Sequence, residues 1–331
     1  MKKMLLVLGV AAAAMTSCTS DEVLEMNPTN AIKFESFVNK STRAVTEINN
    51  NNQLVNFYVF GGYTSPYTNN VFDNTSIGVN GETTAEWTAN TYKFAAYANA
   101  SSGGELTNTQ QNVKVSFDGT TLQFPNYVVS DANDLIAAVS QSVDNTDLDN
   151  TTVDLTFKHM LAQVKFTFTN QDNSHRLIVS DISGAGVKNQ GSGSIIAGGT
   201  INWDQLQVAN DYSMSYTGQT VSASGTYAPG FQMVIPQALT DIKISFTVSF
   251  IDSHDAVVST ETFSEIPLKY DNDTETPANN FTDWQPGYRY NYTASFPSDP
   301  KTIKFIVTVD DWEDKTASGN NTTPGDNTMD F

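Results

Sequence analysis

The stretch VDLTFKHMLAQVKFTFTN (Val153–Asn170) alternates apolar and polar residues twice, in two different phases. Leu155, Phe157 and Leu161 share one phase, and Val164, Phe166 and Phe168 share the other. Strict alternation puts successive side chains on opposite faces of a strand, so each half has one face in a core. The slip between Leu161 and Val164 predicts a β-bulge or a passage of the chain from one sheet to another. His159 keeps the phase of Phe157, which marks it as a satisfied core or interface histidine rather than a catalyst.

Working outward, the same alternation recurs. DIKISFTVSF carries Ile242, Ile244, Phe246, Val248 and Phe250 on one face. YRYNYTASF carries Tyr288, Tyr290, Tyr292, Ala294 and Phe296, VKVSF carries Val113, Val115 and Phe117, and IKFIVTV carries Ile303, Phe305, Val307 and Val309. LVNFYVFGGY (Leu54–Tyr63) is apolar on both faces and reads as a central strand. Only ANDLIAAVSQSV (Ala132–Val143) has a helical look, with Asp131 or Asp134 placed to cap it. Polar, turn-rich stretches at 100–112, 144–151, 184–199 and 271–280 separate the strands. The expected class is all-β, with a boundary between two sandwiches at Asn170–Ser174.

Composition agrees. The chain has 331 residues, 17 basic against 36 acidic, for a formal charge of −19. Such a surface repels nucleic-acid phosphates and anionic lipid head groups, so no nucleic-acid partner is expected. One cysteine, Cys18, allows no internal disulfide framework and no cysteine metal cluster.

That cysteine closes a segment with its own logic. Met1–Lys3 is a cationic head, and Met4–Met15 is a continuous apolar run. The run is shorter than the ~20 residues of a membrane-spanning helix and fits the apolar region of a signal peptide. Thr16-Ser17-Cys18 resembles the lipobox of bacterial lipoproteins, in which the cysteine is lipidated on sulfur and becomes the new N-terminus. Met15 stands where that motif usually has leucine. The acids Asp21, Glu22 and Glu25 resemble the export tag of surface-exposed Bacteroidetes lipoproteins. Acyl chains contribute ~0.8 kcal/mol per buried CH₂, so they, not charge, are the expected link to the outer membrane.

Four features together resemble the fimbrillin family of the Bacteroidetes, the subunits of type V pili and their lipoprotein relatives. They are the lipoprotein signal; STRAVT (Ser41–Thr46), with a lone arginine shortly after IKFESFV; FKHMLAQVKFTF; and WQPGYRYNYTASF. The resemblance implies two tandem transthyretin-like β-sandwich domains. It divides the chain into a signal peptide at 1–17, a propeptide with the leading strand at 18–43, an N-terminal sandwich at 44–170 and a C-terminal sandwich with a polar tail at 171–331. It also implies cleavage between Arg43 and Ala44 by a trypsin-like or arginine-specific protease, and assembly by donor-strand exchange with other fimbrial subunits, in a fimbrium at the cell surface. IKFESFV, with Ile32, Phe34 and Val38 around Ser36, could fill the groove before the cut. The donor candidates are Ile303, Phe305, Val307 and Val309; the same strand also reads as the last strand of its own domain.

Other chemistry is thinly supported. His175 and His254 lie in polar turns, and no serine sits in a Gly-x-Ser-x-Gly elbow, so no catalytic residue, enzyme activity or cofactor is expected. DNTDLDN (Asp144–Asn150) and DNDTE (Asp271–Glu275) gather oxygen ligands but lack the glycine and terminal glutamate of an EF-hand loop, so no metal is assigned. Asp310, Asp311, Glu313 and Asp314 flank Trp312, and GSGS (Gly191–Ser194) lacks the strand-to-helix context of a phosphate loop. Trp87, Trp203, Trp284 and Trp312 could stack on sugars but more often fill cores. The competing reading is a surface glycan-binding lipoprotein that never polymerises, with a host or bacterial glycan or protein as its partner; a glycan-cleaving enzyme is third.

Overall fold

The computed structural model of the chain describes residues 30–38, 54, 56–63, 70–78, 80–100, 114–149, 152–209, 213–269, 282–297 and 304–311. Among these residues every regular element is a strand. The first are β1 (Lys33–Val38), β2 (Asn56–Tyr63), β3 (Phe72–Gly78), β4 (Thr91–Asn99), β5 (Ser116–Phe117) and β6 (Thr121–Val128). Next come β7 (Leu135–Val139), β8 (Val143–Asp144), β9 (Thr152–His159), β10 (Ala162–Asn170), β11 (Arg176–Ala185) and β12 (Gln190–Ile196). There follow β13 (Ile201–Gln207), β14 (Met214–Tyr216), β15 (Gln219–Val221), β16 (Thr226–Tyr227) and β17 (Gln232–Val234). The last are β18 (Lys243–Ile251), β19 (Val257–Pro267), β20 (Tyr288–Phe296) and β21 (Lys304–Asp311).

They form four sheets. The largest runs β1-β9-β7-β4-β2-β3, with β8 beside β4, and a second runs β13-β12-β6-β5. The third runs β16-β10-β20-β21 with β17 also on β10, and the fourth runs β14-β11-β18-β19 with β15 also on β11. The third and fourth sheets face each other across one core, where Val164, Phe166 and Phe168 meet Leu177, Phe246, Val248, Tyr292 and Phe296. The largest sheet is buried on both faces. One face holds Phe57, Val59, Phe94, Ile136, Leu155 and Phe157. The other holds Phe60, Tyr97, Leu135 and Ala137, packed on Leu122, Phe124 and Tyr127 of the second sheet.

The phase slip in Val153–Asn170 is a passage between sheets. β9 lies in the largest sheet between β1 and β7, whereas β10 lies in the third. Only Met160 and Leu161 separate them, and their backbone is pinned on three sides. The Met160 amide donates to Leu135 O at 2.8 Å, the Trp203 indole donates to Met160 O at 2.8 Å, and the Gly287 amide donates to Leu161 O at 2.8 Å. The polar stretch at 170–174 falls in the crossing from β10 to β11, between the two facing sheets of the second core.

The helical reading of Ala132–Val143 is corrected: this stretch contains β7, a strand between β4 and β9. Its run of apolar residues is explained by burial on both faces, a pattern that periodicity does not distinguish from a buried helix. Neither expected cap residue caps. Asp131 accepts the Met233 amide at 2.7 Å, and Asp134 meets the His159 ring. LVNFYVFGGY supplies β2, an interior strand flanked by β4 and β3, as its two apolar faces require.

Candidate functional site

The strand that bears most directly on function is the first. β1 pairs with β9 in parallel, from Lys33 beside Thr152 to Val38 beside Phe157. Its other side is also occupied. The chain leaves β3 through a turn closed by Gly81 N donating to Gly78 O at 2.9 Å, then runs back along β1. There the Ile32 amide donates to Ala85 O at 2.7 Å and the Phe34 amide to Gly81 O at 2.9 Å. Thr83 Oγ1 donates to Ile32 O at 2.7 Å, and the Trp87 amide donates to Asn30 O at 3.0 Å. β1 is therefore a seam strand. It joins the β9 side of the sheet to the stretch that follows β3, and backbone hydrogen bonds hold it on both flanks.

Alternation decides what it buries. Ile32, Phe34 and Ser36 point inward and are almost fully covered, while Lys33 is exposed. Phe34 is the anchor. Its ring meets Phe72 at 5.3 Å, Phe94 at 5.4 Å and Phe57 at 6.3 Å between centroids, all edge-to-face. That geometry sets the positive ring edge against a neighbour's negative face and contributes ~0.5–1.5 kcal/mol per pair beyond the area buried. Gly81 makes room for the close approach. Its φ is 65°, and a Cβ there would lie 1.8 Å from Phe34 O. Ser36 is the one polar side chain in this inward row, and its Oγ accepts the Leu54 amide at 3.3 Å. On the outer face Glu35 stands beside Asp154 in the register, a juxtaposition of like charge.

A buried polar group lies at the far end of β9. His159 Nδ1 is 2.9 Å from Asp134 Oδ1, both nearly inaccessible to solvent. Asn99 Nδ2 donates to Asn133 Oδ1 at 2.8 Å, and the Asp134 amide donates to Asn99 Oδ1 at 3.0 Å. Burial, with the Asp134 charge added, pushes the Tyr127 phenol far above its ordinary value. His159 is thus a satisfied interior histidine. His175 hydrogen-bonds Asp172 at 2.9 Å at the entry to β11, and His254 is exposed near Asp252.

The other sequence candidates fall as follows. Cys18, Arg43, Ala44 and Ile303 lie outside the described residues, as do Trp312, Glu313, Asp314 and Asp271–Glu275. Phe305, Val307 and Val309 are on β21, which pairs antiparallel with β20 of the same chain from Lys304 beside Ser295 to Asp311 beside Tyr288. Val307 is buried in the core between the third and fourth sheets, and Val309 packs against it. Trp87 and Trp284 are buried in cores, and Trp203 lies part-buried across Gly191 and Gly193 of β12, so GSGS is a strand. Among the described residues no group of three His, Cys, Asp or Glu side chains is placed to hold a metal ion, and no helix is long and apolar enough to cross a membrane. The segment 81–87 is the part of the seam that sequence reasoning missed; its one local signal is the Asn80-Gly81 turn pair.

A family profile described as fimbrillin-like matches residues 42–312, and the chain belongs to that family. No curated protein matches it. Among solved structures, a fimbrial protein from Bacteroides vulgatus is 14% identical, with a TM-score of 0.56 over 85% of this chain and 99% of its own. A protein from Parabacteroides distasonis described as a cell adhesion protein is 12% identical, with a TM-score of 0.45 over 86% of this chain and 96% of its own. One from Bacteroides ovatus with the same description is 13% identical, with a TM-score of 0.44 over 86% and 98%. At these identities the first likeness speaks for the fold alone.

Proposed function

We propose that the chain is a structural or accessory subunit of a surface fimbria acting in cell adhesion, and not an enzyme. In this reading it is exported as a lipoprotein through Cys18, cut between Arg43 and Ala44, and assembled by exchange of the seam strand for a strand of another subunit. Family membership and the fold shared with a fimbrial protein support the class. The observation that carries the mechanism is the seating of β1. It ends at Val38, five residues before Arg43, yet it supplies Phe34 to a core made by strands that follow the cut.

The physical consequence is simple. Once the chain is cut after β1, hydrogen bonds and apolar contacts alone retain the strand. Loss of it would leave unpaired backbone groups on β9 and on 81–85 and an open ring of Phe57, Phe72 and Phe94. A donor strand restores the backbone bonds and fills the pockets with alternate side chains.

Limited trypsin treatment of the folded protein, with N-terminal sequencing, tests the reading. A new N-terminus at Ala44, departure of the 18–43 fragment and ladder formation on gels are the expected results. A bond that resists while others are cut, or a fragment that never exchanges, would remove the assembly mechanism. Incorporation of labelled fatty acid, abolished by Cys18→Ala, tests the anchor separately.

A further inference from the structure

Asn80 and Gly81 form the sole asparagine–glycine pair in the chain. We infer that Asn80 is a deamidation site gated by the seam strand: it reacts when β1 lifts away, and its isoaspartate product no longer holds a strand there. The inference stands on the seating of β1 in the uncut chain and is independent of cleavage and exchange.

The chemistry needs only water. The Gly81 backbone nitrogen gives up its proton to solvent and attacks Cγ of Asn80. The new N–Cγ bond closes a succinimide, the Cγ–Nδ2 bond breaks and ammonia leaves. Water then opens the ring. Addition at Cγ returns an ordinary peptide link with aspartate at position 80. Addition at the main-chain carbonyl leaves Gly81 joined through Cγ, an isoaspartate whose backbone is longer by a carbon. Glycine favours the first step because no Cβ shields its nitrogen or restricts the turn. Asn80 is exposed, so water and base reach it.

Two hydrogen bonds decide when this happens. The nitrogen that must attack donates to Gly78 O at 2.9 Å, and the carbonyl of the same residue accepts the Phe34 amide at 2.9 Å. Gly81 is buried, and a Cβ built on it would lie 1.8 Å from Phe34 O, so β1 covers it closely. The bonds of the Ile32 amide to Ala85 O and of Thr83 Oγ1 to Ile32 O tie the rest of the returning segment to the same strand. Departure of β1 removes all of these together and frees the turn. A reaction confined to a locally opened state proceeds in proportion to the population of that state.

The product acts back on the seam. The added carbon lies immediately before Gly81, so it displaces both the amide that closes the turn and the carbonyl that receives the Phe34 amide. The contact between Gly81 and Phe34 O leaves β1 no room to follow. The strand that protects Asn80 is thus the strand that its conversion expels. One consequence rests on the strand-exchange reading: a subunit left with an empty seam loses its capacity for a strand as it ages, whereas a filled one keeps it.

The test incubates uncut wild-type and Phe34→Ala proteins in mildly alkaline buffer. Residue 80 is followed by peptide mass spectrometry and by labelling with an isoaspartyl methyltransferase, and urea-unfolded wild type sets the upper rate. Phe34→Ala should convert at least ten-fold faster than wild type, and Asn80→Gln should not convert. Ile32→Ala, which leaves the aromatic anchor in place, serves if Phe34→Ala does not fold and should give a smaller acceleration. Asn80→Asp, with an ordinary backbone, should unfold in urea at the wild-type midpoint, and the aged isoaspartate form should unfold earlier. Equal rates in wild type and the β1 variants overturn the gating. No conversion in those variants while the unfolded chain converts fully overturns the site, and an unchanged midpoint for the isoaspartate form overturns its effect on the seam.

Discussion

Replacing Phe34 with alanine asks whether β1 is a true member of the core or a strand merely laid against it. The ring is 2% exposed and makes three edge-to-face contacts with Phe57, Phe72 and Phe94. Large-to-small changes at such sites cost ~3–5 kcal/mol, since the lost transfer energy is joined by the energy of the cavity. The three aromatic pairs place Phe34→Ala towards the upper end of that range. In the uncut protein the loss should appear in urea unfolding followed by tryptophan fluorescence, where Trp87, 6.0 Å from the Phe94 ring, reports on the same core. After cleavage at Arg43 the same loss becomes a weaker hold on a separate fragment. At 1.4 kcal/mol per factor of ten it amounts to about two to three and a half decades in the dissociation constant. Glu35→Ala, on the outer face beside Asp154, serves as the control and should be neutral or mildly stabilising. A loss below about 1 kcal/mol for Phe34→Ala, of the size usual for surface changes, would refute the seam description.

Two further perturbations follow from the same geometry. Gly81→Ala sets a Cβ into the Phe34 carbonyl at a backbone φ of 65°, so β1 cannot seat; tryptic release of the 18–43 fragment should become faster by at least ten-fold. Asp172 tests acid behaviour. Burial pushes its carboxyl up, but hydrogen bonds from the His175 ring and from the Ser174 and His175 amides outweigh burial and hold it below its ordinary 3.8. A depressed carboxyl contributes stability that is present above the ordinary value and is lost as pH falls through the lower, folded one. Asp172→Asn should therefore lower the melting temperature at pH 7 and flatten its decline below about pH 4. An unchanged acid limb would assign that decline to other carboxylates.

Much of the fold could be read in the residues because alternation reports burial directly. β18 and β20 follow their patterns over most of their length; Tyr288 is exposed at the start of β20, and Ser295 and Ile251, on the outward phase at the strand ends, are buried. The change of phase between Leu161 and Val164 marked the place where the chain leaves one core for another, since Leu155 and Phe157 serve one cluster and Val164, Phe166 and Phe168 serve a different one. Alternation fails where both faces of a strand are buried. Leu135–Val139 shows no polar face because its two sides fill two cores, and the acids read as helix caps were instead tertiary partners of Met233 and His159. The seam was half legible. IKFESFV announced a strand, but its parallel partner, the ring of three phenylalanines and the returning segment 81–87 are long-range pairings. No local pattern in a single sequence encodes them.

The two-residue link at Met160–Leu161 has a mechanical meaning. Only two residues separate β9 from β10, so tension on β10 reaches the C-terminal end of β9 with almost no slack between them. If the chain is anchored at its N-terminal side as proposed, β1, seated parallel to β9, would be drawn towards the opposite end. Force then runs along the ladder, and all its hydrogen bonds resist together; they are not opened one after another as in a zipper. A ladder loaded in this way resists pulling along its strands better than peeling across them.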